Sequence, residues 1–481
     1  MTASHDDATA HPAEVDTADS HRHDVIDRGS AVAIVGAGPA GLSAARMLRH
    51  YGIDYDHFER HTDLGGIWDL DNPGTPMYES AHFISSRDVS GFFDFPMPDH
   101  FGDYPSRAQI LDYTRDFAAE FALHENIAFA TEVESVVEDG DGWLLFTADH
   151  GPPRRYRGVI CASGTNWYPR MPQHPGVFDG EVRHAVTHRR AGDFAGKRVL
   201  VVGLGNSGAD IACDAAQAAD AAFISVRRGY HIVPKHIFGV PADQFGEASA
   251  AVPRWIERPI TTRLLRLMVG DLTRWGLPKP DHKLFESHPL LNSQLLHHLQ
   301  HADITAKPDL ARFDGPDVVF TDGSRERVDL VLYATGYEMR IPYVDADLFA
   351  WNGDRPAQYL TAFNRHHRNL FTLGFLETNS SAYTLFDNIS NVIAQYLRDQ
   401  ITRPATARRF DQLVANDRPD LNGGIAMVNS PRHAGYVDAK TYKKTLARTR
   451  EQMGWADLSP GFADHLKERN SDRSRTSITR R

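Results

Sequence analysis

The stretch Ala31–Leu70, AVAIVGAGPAGLSAARMLRHYGIDYDHFERHTDLGGIWDL, reads as a strand, a glycine turn, a helix and a second strand. Val32 to Val35 form a short apolar run, Gly36, Gly38 and Gly41 supply G-x-G-x-x-G, and residues 42–48 are largely apolar helix formers. Gly36 permits the tight turn, Gly38 lets backbone approach a pyrophosphate, and Gly41 lets the helix pack closely on the strand. The phosphates then face the unpaired N–H groups of the helix N-terminus, where Pro39 and Ala40 complete the cofactor-binding turn. Glu59 stands 18 residues after Gly41, at the end of the run Tyr55 to Phe58. A carboxylate there accepts hydrogen bonds from ribose hydroxyls and repels a 2′-phosphate, so this site is expected to take FAD or NAD. Arg60 follows it as a further cofactor contact.

Around this unit the chain has 481 residues, 41% of them hydrophobic and 24% charged, with a net charge of −11. That length suits about three domain-sized units, or two with one inserted in the other, and the acidic balance argues against a nucleic-acid surface. No apolar stretch is long enough to span a membrane, and the N-terminus lacks the basic-then-apolar order of a secretory signal. Cys161 and Cys213 are too few for a disulfide framework, so a cytoplasmic location is expected. Residues 1–29 and 467–481 are polar and read as disordered tails. The histidines of the first tail, His5, His11, His21 and His23, match no metal-ligand spacing, and no metal is expected.

After Glu59, Gly65 and Gly66 allow a loop to pass close to a flat ligand, with Ile67 and Trp68 beside it, Trp68 serving either as a cover for that ligand or as a core aromatic. The segment Tyr78 to Pro98 mixes Phe83, Phe92, Phe93 and Phe95 with Ser85, Ser86, Arg87 and Asp88, which suits either a pocket wall or a packing loop. A helix is expected over residues 104–121 with Ser106 as N-cap, and antiparallel strands over 128–137 and 142–148. A buried strand at 159–162 ends at Gly164, and Pro169 and Pro172 mark the crossing into a second unit.

That unit opens with an apolar strand at 197–202 and repeats the motif as Gly203, Gly205 and Gly208, with Asn206, Ser207 and Asp210 in the same turn. Two such motifs in one chain are far more specific than one. At the end of its second strand, 222–226, the acid is replaced by Arg227 and Arg228. An arginine pair there holds a 2′-phosphate by charge-assisted bonds, so NADPH is expected. A site without a 2′-phosphate beside a site for NADPH describes a flavoprotein in which NADPH reduces FAD. A disulfide reductase would need a close cysteine pair, which the chain lacks, so O₂ becomes the leading electron acceptor.

With these residues in view, the chain resembles the flavin-containing monooxygenases, class B flavoproteins that include Baeyer–Villiger and N-hydroxylating enzymes. The resemblance runs from about Ala31 to Leu397 through G-A-G-P-A-G at 36–41, Glu59, G-G-x-W at 65–68, D-F-P at 94–96, G-N-S-G-x-D at 205–210 and A-T-G-Y at 334–337. Between the nucleotide motifs, Phe178, Gly180 and His184 match the family's F-x-G-x-x-x-H. It implies an α/β fold of two Rossmann-type domains, with FAD bound by 30–175 and 331–466 and NADPH bound by an inserted 176–330. It also implies that His184 supports NADP positioning, and that Thr335 and Gly336 meet the cofactor as the chain returns to the first domain. The implied reaction uses O₂ and a small organic substrate, a soft nitrogen or sulfur nucleophile, through an oxygen adduct at flavin C4a. A ketone-oxidising Baeyer–Villiger enzyme and a peroxide-forming NADPH oxidase are the alternatives, and a homodimer is compatible with the resemblance.

Two positions depart from the pattern. His188 stands where the fingerprint ends in an aromatic residue, and Phe83 and Ile84 replace a Thr-Asn pair beside the flavin. Ile84 therefore lies at the flavin without the asparagine's hydrogen bonds, leaving Ser85, Ser86 or Arg87 to substitute; Ser86 and Arg87 are the catalytic candidates. Further on, residues 254–301 read as helical, 318–324 and 327–333 as a hairpin, 370–376 as a strand, and 385–397 and 439–449 as helices.

Overall fold

The computed structural model describes residues 25–244, 254–425 apart from 285 and 288, 427–428 and 435–467. The other residues of the two expected tails lie outside this set.

Val32–Val35 is the centre of a parallel five-stranded sheet ordered Leu370–Thr372, Gly158–Cys161, Val32–Val35, Tyr55–Phe58, Ile127–Ala128. All four residues of the central strand are buried, as a run covered on both faces must be. One face carries the helices Pro39–His50 and Tyr383–Thr402, packed through Leu42, Ala45, Ile389 and Ile393. The other face is covered by the meander Val133–Asp139, Gly142–Thr147 and Arg154–Tyr156, whose Trp143, Leu145 and Tyr156 meet Ala33, Val35 and Phe58. Ile26–Asp27, expected to be tail, is instead a strand paired with Arg154 and Arg155. Backbone groups at a sheet edge accept any chain that offers matching donors and acceptors, without an apolar period in that chain.

The helix expected at 104–121 spans Arg107–Glu120, and Ser106 caps it in a reciprocal box with Gln109. The strand expected from 128 is divided: Ala128 pairs in the parallel sheet, and the meander strand starts at Val133.

The second unit has its own parallel sheet, ordered Glu181–His184, Leu330–Tyr333, Arg198–Val202, Ala221–Ser225, Ile304–Lys307. Leu330–Tyr333, expected as the second arm of a hairpin and as the return into the FAD unit, lies between two parallel strands of this sheet and is wholly buried. The boundary expected at 330/331 therefore falls after Tyr333. The hairpin itself is Asp317–Phe320 with Arg325–Arg327, joined by Leu310–Asp314. Residues 254–301 are helical over Arg254–Val269 and Gln294–Gln300, whereas Leu290–Leu291 pairs with Ile232–Val233 as a short strand. Outgoing and returning connections between the units lie side by side, Tyr168–Pro169 pairing antiparallel with Tyr337–Glu338. Among the described residues, no helix is long and apolar enough to cross a membrane.

Candidate dinucleotide sites and the boundary between them

Both glycine turns have the same stereochemistry. Gly36 (φ +104°) lies where a Cβ would sit 2.6 Å from the Ala162 carbonyl oxygen, and Gly203 (φ +109°) where it would sit 2.7 Å from that of Ala334. A Cβ on Gly41 or Gly208 would stand 1.9 or 2.1 Å from the carbonyl oxygen of Gly36 or Gly203. The middle glycines behave differently: Gly205 has open space beyond it, and Gly38 meets only the Gly66 Cα at 3.7 Å. Gly38 and Gly205 are also the N-caps of their helices, with no side chain capping the N–H groups and no acid in the first turn. Both turns therefore keep an open, donor-rich cradle that fits a pyrophosphate, with Pro39 and Ala40 in one and Asn206 and Ser207 in the other starting the helix.

In the first unit the Gly65-Gly66 loop closes on the turn, Gly65 N–H donating to the Ala37 carbonyl at 3.0 Å. Glu59 is buried; its carboxylate accepts from Ala37 N–H at 2.6 Å and His61 N–H at 2.9 Å. Burial pushes its carboxyl up, and these two N–H groups oppose the shift. The acid thus joins the end of the second strand to the glycine turn. His57 Nε2 donates to the Gly36 carbonyl at 2.9 Å, and burial lowers this imidazole to about 4. Trp68 is buried against Phe83, with ring centroids 5.3 Å apart, and Ile67 is half-buried with its carbonyl bound by Thr75 Oγ1. Arg60 stacks 4.4 Å from the Trp167 ring, beside Gly164 (φ +81°).

The aromatic loop holds the catalytic candidates. Arg87 has a structural place: its guanidinium binds Asp88 at 2.9 Å and the carbonyls of Asp99 and Phe101 at 2.6 and 2.9 Å. Ser86 donates its N–H to Asp243 of the second unit at 2.6 Å, while its hydroxyl is buried and has no hydrogen-bond partner among the described residues. Ile84 is 41% exposed, an apolar side chain left uncovered by the surrounding protein.

In the second unit the arginine pair divides. Arg227 is exposed and makes no hydrogen bond or ion pair among the described residues, whereas Arg228 Nε is held by both oxygens of Asp281 at 2.9 and 3.0 Å. Of the two arginines expected at a 2′-phosphate, Arg227 is thus the one without a protein partner among the described residues. His184 accepts from Val186 N–H and donates from Nε2 to the Gly336 carbonyl at 3.1 Å. Thr335 donates to the Arg170 carbonyl at 2.6 Å, and Gly336 (φ +83°) makes the turn, so these residues tie the two connections together.

Asp210, expected to contact the cofactor, has both carboxylate oxygens occupied by Tyr78 Oη at 3.0 Å and Asn292 Nδ2 at 2.8 Å. Burial raises its carboxyl to about 6. One turn along the same helix, Asp214 receives Ser80 Oγ at 2.7 Å and His188 Nε2 at 2.9 Å. No motif in the sequence marks Tyr78, Ser80, Asp214 or Asn292. A signal was available in two aspartates four apart on the otherwise apolar helix ADIACDAA.

A family profile described as FMO-like, flavin-binding monooxygenase-like, matches residues 29–431. The chain belongs to this family. Its members use FAD and NADPH, and the two cradles of this family member fit that pair. Over 342 residues it is 31% identical to human flavin-containing monooxygenase 5, covering 65% of this chain and 63% of the human protein, so the match spans less than two thirds of that relative. With mouse dimethylaniline monooxygenase [N-oxide-forming] 2 it shares 30% identity over 418 residues, 81% of this chain and 77% of the mouse protein. Its fold matches that of S-allyl-L-cysteine S-oxygenase from Allium sativum at a TM-score of 0.61 and 20% identity, covering 93% of each chain.

Proposed function

We propose that this protein is a FAD- and NADPH-dependent monooxygenase. It places one atom of O₂ on a soft nitrogen or sulfur of a small organic substrate and releases the other as water, with both electrons coming from NADPH. The observation carrying this reading is the difference in charge where the second strand of each open cradle ends: Glu59 directly after one, and, one register position further along the other, Arg227, which has no partner among the described residues. Bound FAD supplies the redox and oxygen chemistry. The chain's own residues bind, orient and exclude water. Glu59 accepts ribose hydroxyls, Arg227 holds the 2′-phosphate, and the Trp68–Phe83 pair supplies an apolar wall. A nitrogen nucleophile is supported by the name of the mouse relative, which forms an N-oxide of a dimethylaniline.

Ile84 supports a second reading, an NADPH oxidase, because this exposed side chain offers no hydrogen bond where the family carries an asparagine. One experiment separates them: follow NADPH and O₂ consumption by the FAD-loaded protein with and without a tertiary amine or a sulfide. Substrate-dependent consumption with an N- or S-oxide formed one-to-one supports the monooxygenase. Consumption matched wholly by hydrogen peroxide supports the oxidase, and no NADPH consumption overturns both.

A further inference from the structure

The boundary between the units is fastened by polar groups that neither cradle uses. Asp210 and Asp214 lie one turn apart on the helix Asn206–Ala218, so their carboxylates share a face at a spacing of about 6 Å. Opposite them, Tyr78 and Ser80 are two residues apart in a non-helical segment of the flavin unit, where alternate side chains of an extended chain stand about 7 Å apart. The spacings match, and each hydroxyl donates to one carboxylate, at 3.0 and 2.7 Å. From behind, Asn292 and His188 of the second unit hold the same two carboxylates. His188 lies flat on Phe194, 4.8 Å between centroids and 3° between planes, with the Tyr78 ring 5.5 Å away. This gives the imidazole at the fingerprint's last position a partner that an aromatic hydrocarbon would not have.

Backbone contacts extend the seam. Glu79 N–H donates to the Arg189 carbonyl at 2.8 Å, and a few residues on, Ser86 N–H donates to Asp243 and Gln244 Nε2 to Asp88. The segment 78–88 belongs to the flavin unit and carries Phe83, which packs on Trp68, yet it is bound at both ends to the NADPH unit. The helix on the far side of the seam is the one whose N-terminus forms the NADPH cradle.

We infer that Tyr78, Ser80, Asp210 and Asp214 are positioning residues that set where the nicotinamide-carrying unit stands relative to the flavin, and so govern hydride transfer rather than the affinity of either dinucleotide. This rests on the proposed function. It predicts that loosening the seam slows flavin reduction while FAD content and NADPH affinity stay near wild type, because small misplacements of reacting atoms are costly in rate.

The test uses the FAD-loaded full chain carrying Tyr78→Phe and Ser80→Ala together, reduced anaerobically by NADPH in a stopped-flow instrument. The expected result is a limiting reduction rate lower by roughly tenfold or more, with the NADPH dissociation constant within about threefold and flavin content unchanged. Hydrogen exchange should rise together in peptides covering 77–88 and 207–218. Asp210→Asn, which keeps one acceptor and gains a donor for Tyr78 Oη, should retain most of the rate, whereas Asp210→Ala should behave like Tyr78→Phe. An unchanged reduction rate overturns the inference, as does a slower rate that follows flavin loss alone. If NADPH fails to reduce even the wild type, the proposed function falls; unchanged exchange at 77–88 in the double variant would then still defeat the seam by itself.

Discussion

The helix Pro39–His50 is seated from inside its own unit. Arg46, fully buried, binds Asp387 of the helix Tyr383–Thr402 at 2.8 Å and lies within 5.0 Å of the ring centroids of Phe117, Phe121 and Phe462. Ser43 and Phe93 N–H complete the coordination of Asp387, each at 2.7 Å. The corresponding helix Asn206–Ala218 is also packed and hydrogen-bonded within its own unit, through Ile211 and Ala212 and through Asn292 and His188, but in addition it is held from across the boundary by the hydroxyls of Tyr78 and Ser80. Two cradles with matching contacts at their first and third glycines thus differ in what else holds them. The polar partners of the first helix all come from its own unit, whereas those of the second come from both units.

The comparison can be broken most severely at the glycines. Gly41→Ala forces a Cβ to 1.9 Å from the Gly36 carbonyl oxygen, and because backbone cannot yield as a side chain does, the purified protein should be insoluble or colourless. Gly208→Ala makes the equivalent clash in the second unit and should give a yellow protein that no longer binds NADPH, checked by absorbance and titration. A colourless Gly208→Ala protein would mean that the units do not fold separately.

Arg46→Met leaves Asp387 buried without its cation. The expected loss is about 3–5 kcal/mol in chemical denaturation, with flavin released early in the transition. A similar loss from Ser80→Ala would erase the distinction between internal and external seating.

His57 sharpens the comparison through pH. Its folded value of about 4 lies below the ordinary 6.5, so the unfolded chain takes up a proton that the folded chain refuses. The stability tied to this group is full above pH 6.5 and is lost as pH falls toward 4, by up to about 3 kcal/mol. His57→Gln should flatten that part of the stability profile. The second unit has an acid shifted the other way: Asp210, raised to about 6, disfavours the folded state as pH rises from the ordinary carboxylate range through 6. The two units are therefore expected to respond oppositely to mild acid.

At the smallest scale, Arg227→Ala should raise the Michaelis constant for NADPH by about 10- to 100-fold, the worth of one charge-assisted contact of 1.5–3 kcal/mol, and leave NADH unaffected. Arg228→Ala should change it less, because that guanidinium is already bound to Asp281. Equal effects would return the 2′-phosphate to the pair.

Both cradles were legible in the sequence because everything that makes them is local: an apolar strand, three glycines, a helix and the residue ending the next strand fall within about thirty positions. What was illegible depends on distant partners. Leu330–Tyr333 looks like any apolar strand, and only pairing with Val199–Val202 and Glu181–His184 makes it central to the second sheet. Ile26–Asp27 gains its identity from Arg154 and Arg155. Arg46, Tyr78 and Ser80 carry no periodic signal, since their roles are set by single aspartates elsewhere in the chain. The partners of Arg87 are hidden for the same reason, because the carbonyls of Asp99 and Phe101 that its guanidinium binds cannot be read from side-chain types.

The buried contact between Ser43 and Asp387 joins residues 344 positions apart, and the strand Leu370–Thr372 completes one edge of the flavin unit's sheet. At ordinary elongation rates the ribosome takes roughly 17 to 70 s to travel that distance. All the strands of the NADPH unit's sheet are made within that interval. The unit encoded second is thus the first able to close its core, while the amino-terminal half of the flavin unit waits, with apolar strands and the Arg46 guanidinium uncovered, for its last strand and helix. During synthesis the order of completion runs opposite to the order of the genetic message, and the nascent flavin half is where a chaperone would be needed.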